Sequence, residues 1–319
     1  MHHSLPESAK KANEAINLIR YPSAVFTLLI PAFNEEQSIE QTVLSAKSTL
    51  EKLNEDSEIV VIDDGSTDRT KEILASLSIP QMKVITHARN HGYGASMKVG
   101  IRHSRGEIIG TTDADGTYPV EQLGPMLRIL REKDAEMVVG ARTKKGAKIP
   151  LIRRPAKAIV NMLANTLVGI KIPDTNSGLR IFTRELAEQY MHLYPQGFSF
   201  TLTITLASLT NDHIVEFHPI DYYKRRGKSS MSSGMNGVKH FLNFLGLIIR
   251  ITTYFRPARF FIWPSMLLVL AGTGTIIYTI AADNNISDAG MLLLLTGLQV
   301  GLFGLLAEVV VRHSQRTQH

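Results

Sequence analysis

Two aspartates stand one residue apart in "GTTDADGTYP", Gly110 to Pro119, directly after a short apolar run and just before a glycine and a proline. Carboxylates at i and i+2 on an exposed loop can each offer oxygen to one hard divalent cation, and Mg²⁺ combines few carboxylates with substrate phosphates and water. Asp113 and Asp115 are therefore candidate ligands of a metal that holds a diphosphate; the competing reading is a solvated turn set by Gly116 and Pro119. Basic residues bunch at Arg142 to Lys148, Arg153 to Lys157 and Lys224 to Lys228, within a formal net charge of only +6. Nucleic acid is one reading of such clusters, but phosphates on small substrates or lipids need the same cations. With no cysteine in the chain, a disulfide and a thiolate metal site are both excluded.

The elements that would position these groups alternate. "AVFTLLIPAFNEE" is an apolar β-rich run halted by Pro31, and the next segment has apolar positions at helical spacing. The unit repeats in "SEIVVIDDGS" and "STDRTKEILASL", where Ser66 or Thr67 can cap the helix with Asp68 near its positive end. "MKVITHA" and "GEIIGTTDAD" supply third and fourth strands. Strands alternating with helices imply a mostly parallel α/β sheet, whose ligands sit beyond the carboxyl ends of the strands. Asn34, Glu35, Asp63, Asp64, Asp113 and Asp115 all fall at such ends.

The apolar composition of 44% hides a gradient. Residues 1 to 235 mix charged, apolar and turn residues, whereas "FFIWPSMLLVLAGTGTIIYTIAA" (260–282) and "GMLLLLTGLQVGLFGLLAEVVV" (290–311) are apolar on every face. Each has about the 20 residues a helix needs to cross a bilayer, so a two-helix transmembrane hairpin is expected, the alternative being a pair of buried helices. Arg250, Arg256 and Arg259 precede the first span, Arg312 and Arg316 follow the second, and the connecting "DNNISDA" has no Lys or Arg. The positive-inside rule then places both termini and the large domain in the cytoplasm. Glu308, the one charge in either span, lies near the cytosolic end. Residues 236–259 read as an amphipathic helix at the membrane surface. Residues 1–24 read as a short helical extension without a signal-peptide core. Gly272, Gly274 and Gly301 offer small faces through which the spans could associate into a homo-oligomer.

The sequence resembles the family 2 glycosyltransferases, and especially the polyprenyl-phosphate hexose synthases such as dolichol-phosphate mannose synthase. The carrying residues are "IPAFNEE", "VVIDDGSTD", "HGYGASMKVGI", "DADGTYP", "VVGAR", "DTNSGLRIF" and "PIDYYKRRGKSS", in family order across residues 25 to 235. The resemblance implies a GT-A fold, a Rossmann-like nucleotide-sugar-binding architecture, over that span. It implies that Pro31, Ala32, Phe33 and Glu35 match the base and ribose pocket and that Ile62 and Asp64 match a second nucleotide contact; a core role for Ile62 stays open. It implies that Asp113, Ala114 and Asp115 match the metal and sugar-diphosphate site, with Mg²⁺ or Mn²⁺ as cofactor, and that Arg142 faces phosphate. Ser177 and Arg180, with Lys224, Arg225 and Lys228 of the glycine-bearing loop, would bind donor diphosphate or acceptor phosphate. Here Lys224 stands where the mannose synthases carry arginine and Ser230 where they carry lysine. Arg153 and Arg154 would meet the lipid phosphate, or anionic lipid in general.

A transferase acting on a hydroxyl usually needs a general base. Processive polysaccharide synthases of the same family carry an acidic pair where this chain has "GFSFTLTITLA" (197–207), which contains no acid. An acceptor phosphate is already an anion and needs no base. The expectation is an inverting hexosyltransferase of mannose or glucose type, using a UDP- or GDP-hexose and a dolichyl or undecaprenyl phosphate, with the bilayer as partner and nucleic acid not. Its rivals are transfer to a lipid or polysaccharide hydroxyl, with Asp212 or Asp221 as the base to test, and a non-catalytic nucleotide-sugar-binding membrane protein.

Overall fold

A computed structural model describes residues 25–143, 172–197, 200–225 and 257–316, with Gly169 and Gly246. The expected extension (1–24), the surface helix up to residue 256, and Arg153, Arg154 and Lys228 lie outside the described residues. The chain divides into two compact units, a sheet-bearing one and a C-terminal helical one.

The first unit contains β1 (Phe26–Ala32), α1 (Ile39–Leu53), β2 (Ser57–Asp63), α2 (Thr70–Ser76), β3 (Met82–Thr86), α3 (Tyr93–His103), β4 (Ile108–Thr111), α4 (Leu123–Glu132), β5 (Met137–Ala141), β6 (Arg180–Thr183), α5 (Arg184–Gln189), α6 (Phe200–Thr210) and β7 (Val215–Pro219). One sheet holds all seven strands in the order β3-β2-β1-β4-β6-β5-β7. β1 is buried throughout because both its faces are covered. Phe26, Leu28 and Ile30 share a core with Ile39, Val43 and Leu50 of α1 and with Leu123, Met126 and Leu130 of α4. Leu29 points the other way, where a Cβ on Gly100 of α3 would come within 3.2 Å of it. Gly100 thus lets α3 lie directly on the sheet.

Sheet topology assembles the site. β1 pairs in parallel with β2 and with β4, so the chain reverses its direction of winding between β1 and β4, where doubly wound sheets open a crevice at the carboxyl ends. β6 is antiparallel to both neighbours, with Arg180 opposite Thr111 of β4 and Val139 of β5. A strand running backwards is entered at that same edge, so residues 174–179 arrive beside the loop that leaves β4. β7 is parallel to β5 and delivers residues 220–225 there too.

The proposed helix cap at Ser66 or Thr67 is corrected by where the helix starts. α2 begins at Thr70, and Asp68 Oδ1 accepts both the Thr70 N–H (3.0 Å) and its hydroxyl (2.5 Å). Ser66 and Thr67 instead bond Asn34.

The second unit contains α7 (Pro257–Asp283) and α8 (Asp288–Arg316), which carry apolar stretches of 23 and 24 residues at Phe260–Ala282 and Asp288–Val311. They pack closely at glycines. A Cβ on Gly272 would meet the Leu294 nitrogen at 2.6 Å, and one on Gly304 would meet Phe261 Cβ at 2.7 Å. Ser265 donates to the Gly297 carbonyl at 2.8 Å. Gly272 and Gly301, expected to be free for self-association, are used within this hairpin, while Gly274 has nothing near its Cβ position. Glu308 accepts the Ala258 N–H at 3.3 Å, so its charge meets an otherwise unpaired donor at the start of α7. Leu267, Leu270, Leu292 and Leu302 are exposed, an apolar surface that suits lipid better than water.

Candidate active site

The loops after β1 and β2 are sewn together by their own motif residues. Asn34 has left-handed backbone (φ 57°), its N–H donates to Ser66 Oγ (3.0 Å) and its side-chain oxygen accepts the Thr67 N–H (2.7 Å). Glu35 N–H donates to Thr70 Oγ1, Glu36 N–H to Asp68 Oδ2, and Glu36 accepts the Arg69 N–H. Much of "FNEE" and "STD" therefore shapes the rim. Asp64 is buried: its Oδ1 meets His87 Nδ1 (2.7 Å) and the His91 N–H (3.0 Å), and its Oδ2 accepts the Gly92 N–H (2.7 Å). The residue expected to touch nucleotide thus braces the loop that enters α3. Ile62 is wholly buried beneath Gly100, which settles its side chain as core. Pro31 and Ala32 are buried at the end of β1, and Phe33 is half-exposed at the rim.

Asp113 and Asp115 lie on the turn leaving β4, whose left-handed Gly116 (φ 70°) opens no clash. Asp115 Oδ1 accepts both the Thr117 hydroxyl (2.6 Å) and the Thr117 N–H (3.1 Å). Its Oδ2 has Arg225 Nη1 at 3.4 Å. Asp113 Oδ1 is buried without a hydrogen bond. Burial and then the Asp115 charge push the Asp113 carboxyl up to about 7. A Cβ on Gly178 would lie 2.5 Å from Asp113 Oδ1, so only glycine lets the 174–179 loop lie against that carboxylate. The Gly178 N–H donates to Tyr118 Oη at 2.8 Å, fixing the same contact. Thr42 Oγ1 donates to the Ala114 carbonyl, tying the turn to α1.

Glu35 approaches this turn from the β1 side. Its carboxylate pairs with Arg225 and accepts from Ser38 Oγ at 3.3 Å. Burial, opposed by Arg225 and aided by Asp115, raises it to about 7.

The arginines divide. Arg142 lies at the end of β5 and forks onto Asp174, Nε to Oδ2 at 2.7 Å and Nη2 to Oδ1 at 2.9 Å, with its guanidinium 5.2 Å from the Tyr222 ring. Burial alone would raise Asp174, but Arg142 outweighs it and holds the carboxyl below its usual range. Arg142 is thus braced by Asp174, with 20% of its side chain exposed. Arg180 is corrected. It is 0% exposed, and its guanidinium donates to the Ser177 carbonyl (2.5 and 3.1 Å), the Thr201 carbonyl (3.0 Å) and Thr205 Oγ1 (3.1 Å). A cation so enclosed cannot reach a substrate phosphate; it joins the 174–179 loop to α6. Ser177 is likewise buried, its hydroxyl turned to the Leu179 carbonyl. Lys224 is exposed on the segment after β7. That segment is anchored by Tyr223 N–H to the Thr117 carbonyl (2.9 Å) and by Tyr222 edge-on to Tyr118.

Thr117, Tyr118, Tyr222, Ser38 and His87 were missed as site residues. Thr117 was the findable one, since a threonine two residues after an aspartate commonly bonds its carboxylate. The carboxylate pair fits a divalent ion, because it presents one buried oxygen without a hydrogen bond and one oxygen opposed by the Arg225 guanidinium at 3.4 Å. Among the described residues no third His, Cys, Asp or Glu completes a metal cluster, which leaves the remaining ligands to substrate phosphate and water.

Comparison with known proteins gives two family matches: glycosyl transferase family 2 over residues 27–191, and the GtrB C-terminal hairpin over residues 256–312. The low-salt glycan biosynthesis hexosyltransferase Agl6 of Haloferax volcanii is 28% identical over 97% of this chain and 73% of its own length. The dodecaprenyl-phosphate galacturonate synthase of Rhizobium johnstonii is 24% identical over 91% of this chain and 88% of its own. A dolichyl-phosphate β-glucosyltransferase, ALG5C, of Trichomonas vaginalis is 27% identical over 79% of this chain and 78% of its own. A similar fold is found in glucosyl-3-phosphoglycerate synthase of Mycobacterium tuberculosis, crystallised with Mn²⁺, UDP and phosphoglyceric acid, with a TM-score of 0.57, 15% identity, and coverage of 79% of this chain and 84% of that one.

Proposed function

The chain belongs to glycosyl transferase family 2, and from that premise we propose that it transfers a hexose from a UDP- or GDP-sugar to a polyprenyl phosphate at the cytoplasmic face of a membrane. The observation that carries the reading is the turn after β4, which holds a buried Asp113 oxygen without a hydrogen bond and an Asp115 Oδ2 met by Arg225 at 3.4 Å. Support comes from the relatives, whose names include dolichyl-phosphate and dodecaprenyl-phosphate sugar transferases, and from the neighbouring fold crystallised with Mn²⁺ and UDP.

Asp113 and Asp115 would hold Mg²⁺ or Mn²⁺, which when bound neutralises the donor diphosphate and steadies the leaving nucleotide. The protein's own groups do the rest. Thr117 fixes Asp115 so that one oxygen faces the diphosphate, Gly178 and Tyr118 fix Asp113, and Glu35 lies where the resemblance sets the ribose. Among the described residues Lys224 is exposed and would approach phosphate oxygens, while Arg225 is held by Glu35 and Asp115, Arg142 by Asp174, and Arg180 is enclosed. The acceptor phosphate attacks the anomeric carbon as an anion, so no base is needed, and α6 accordingly offers threonines where an acid would stand. A single displacement inverts that centre. The two apolar helices would form the anchor, with both termini cytoplasmic.

The test uses purified protein in detergent with Mg²⁺ or Mn²⁺, a panel of radiolabelled UDP- and GDP-hexoses, and undecaprenyl or dolichyl phosphate. Label entering the organic phase, lost in Asp115→Ala, is the expected result. Transfer only to hydroxyl acceptors, dependent on Asp212 or Asp221, would overturn the acceptor assignment.

A further inference from the structure

Arg225 is the cation whose position the proposed reaction does not explain. Its guanidinium bridges two carboxylates from different loops, Glu35 after β1 and Asp115 after β4, with Nη1 3.4 Å from the very Asp115 oxygen that Thr117 leaves unbonded. That separation is longer than the roughly 2.7–2.9 Å of a well-made charge-assisted bond. Its Nε is buried with no hydrogen-bond partner, a donor left unmade at a cost of about 1–3 kcal/mol. Arg142, by contrast, is satisfied on both Nε and Nη2 by one carboxylate. The chain carrying Arg225 is fastened as far as Tyr223, two residues earlier, and the long side chain spans the rest.

We propose that Arg225 is a built-in stand-in for the divalent cation: it neutralises Asp115 and Glu35 while the site is empty, and it must leave Asp115 before a metal ion can bind there. This rests on the reading of Asp115 as a metal ligand. A guanidinium and a divalent ion cannot both occupy the face of one carboxylate oxygen, so the two compete. A nucleotide diphosphate reverses the balance, because its oxygens offer Arg225 a fully hydrogen-bonded alternative and supply the metal with further ligands. Metal and nucleotide are then coupled through this residue beyond their direct contact.

The experiment measures Mn²⁺ binding to the full-length protein by the loss of the free-ion electron paramagnetic resonance signal, with and without UDP or GDP. Wild type is compared with Arg225→Gln, Arg225→Lys and Asp115→Ala, and thermal melting serves as the folding control. Without nucleotide, Arg225→Gln should bind Mn²⁺ about tenfold more tightly than wild type, and Arg225→Lys should fall between the two. With saturating nucleotide the advantage should vanish or reverse, since the variant has lost a partner for the diphosphate. Unchanged or weaker Mn²⁺ binding by a folded Arg225→Gln without nucleotide overturns the proposal while leaving the metal site intact. Mn²⁺ binding that is no better in wild type and Arg225→Gln than in Asp115→Ala removes the metal reading itself, and this inference with it.

Discussion

Two corners of the crevice hold an arginine against carboxylates, and they are built to different ends. At the end of β5, Arg142 and Asp174 form a closed fork, both ends also held by backbone, with an aromatic face alongside. At the end of β7, Arg225 is shared between Glu35 and Asp115 and leaves a donor unused. The first is a joint in the frame and the second a charge waiting for another partner. Residue type does not separate them; the number of hydrogen bonds satisfied by a single acceptor does.

The comparison can be broken at several points, the largest effect first. Asp115→Ala should lower transfer at least about a thousandfold, the several kcal/mol that a held cation contributes, with melting little changed; assays across a Mn²⁺ titration would check it. Gly178→Ala should cost about a hundredfold, since the new methyl would lie 2.5 Å from Asp113 Oδ1 and displace it. Its signature is weaker Mn²⁺ binding at a near-normal melting temperature. Arg142→Leu should be mainly a stability variant: stranding buried Asp174 costs on the order of 3 kcal/mol, visible as a lower denaturant midpoint.

The smallest effect is a pH dependence. Asp113 and Glu35 hold their protons more tightly folded than unfolded, both carboxyls being raised to about 7 from ordinary values near 4. Their protonation therefore favours the fold, fully below pH 4, and that contribution is lost as pH rises through 7. Melting of the metal-free protein should fall between pH 5 and 8. Added Mn²⁺ should blunt the fall, and Asp115→Asn should reduce it by removing a charge that raises both groups.

What the sequence made legible was what is local. The strands β1, β2 and β4 and the two apolar spans announce themselves by composition and period, and the first span, Phe260–Ala282, coincides with the expected 260–282. The Asp113 and Asp115 turn was legible because glycine and proline punctuate it. The fates of Arg142, Ser177 and Arg180 were not, because they follow from β6 entering the sheet backwards between β4 and β5. That insertion sends one arginine into the core and supplies Asp174 to the other. The bonds of Asp64 were not legible for a similar reason, since its partners His87, His91 and Gly92 lie beyond another strand.

The touch between Gly178 and Asp113 joins two loops that a protein engineer would wish to treat as separate modules, the turn leaving β4 and the 174–179 segment. A side chain added at 178 would be felt at once by the Asp113 carboxylate. Changes to this segment should therefore be sought at positions flanking that glycine. Grafting the 174–179 loop from a relative should succeed only when its glycine comes with it.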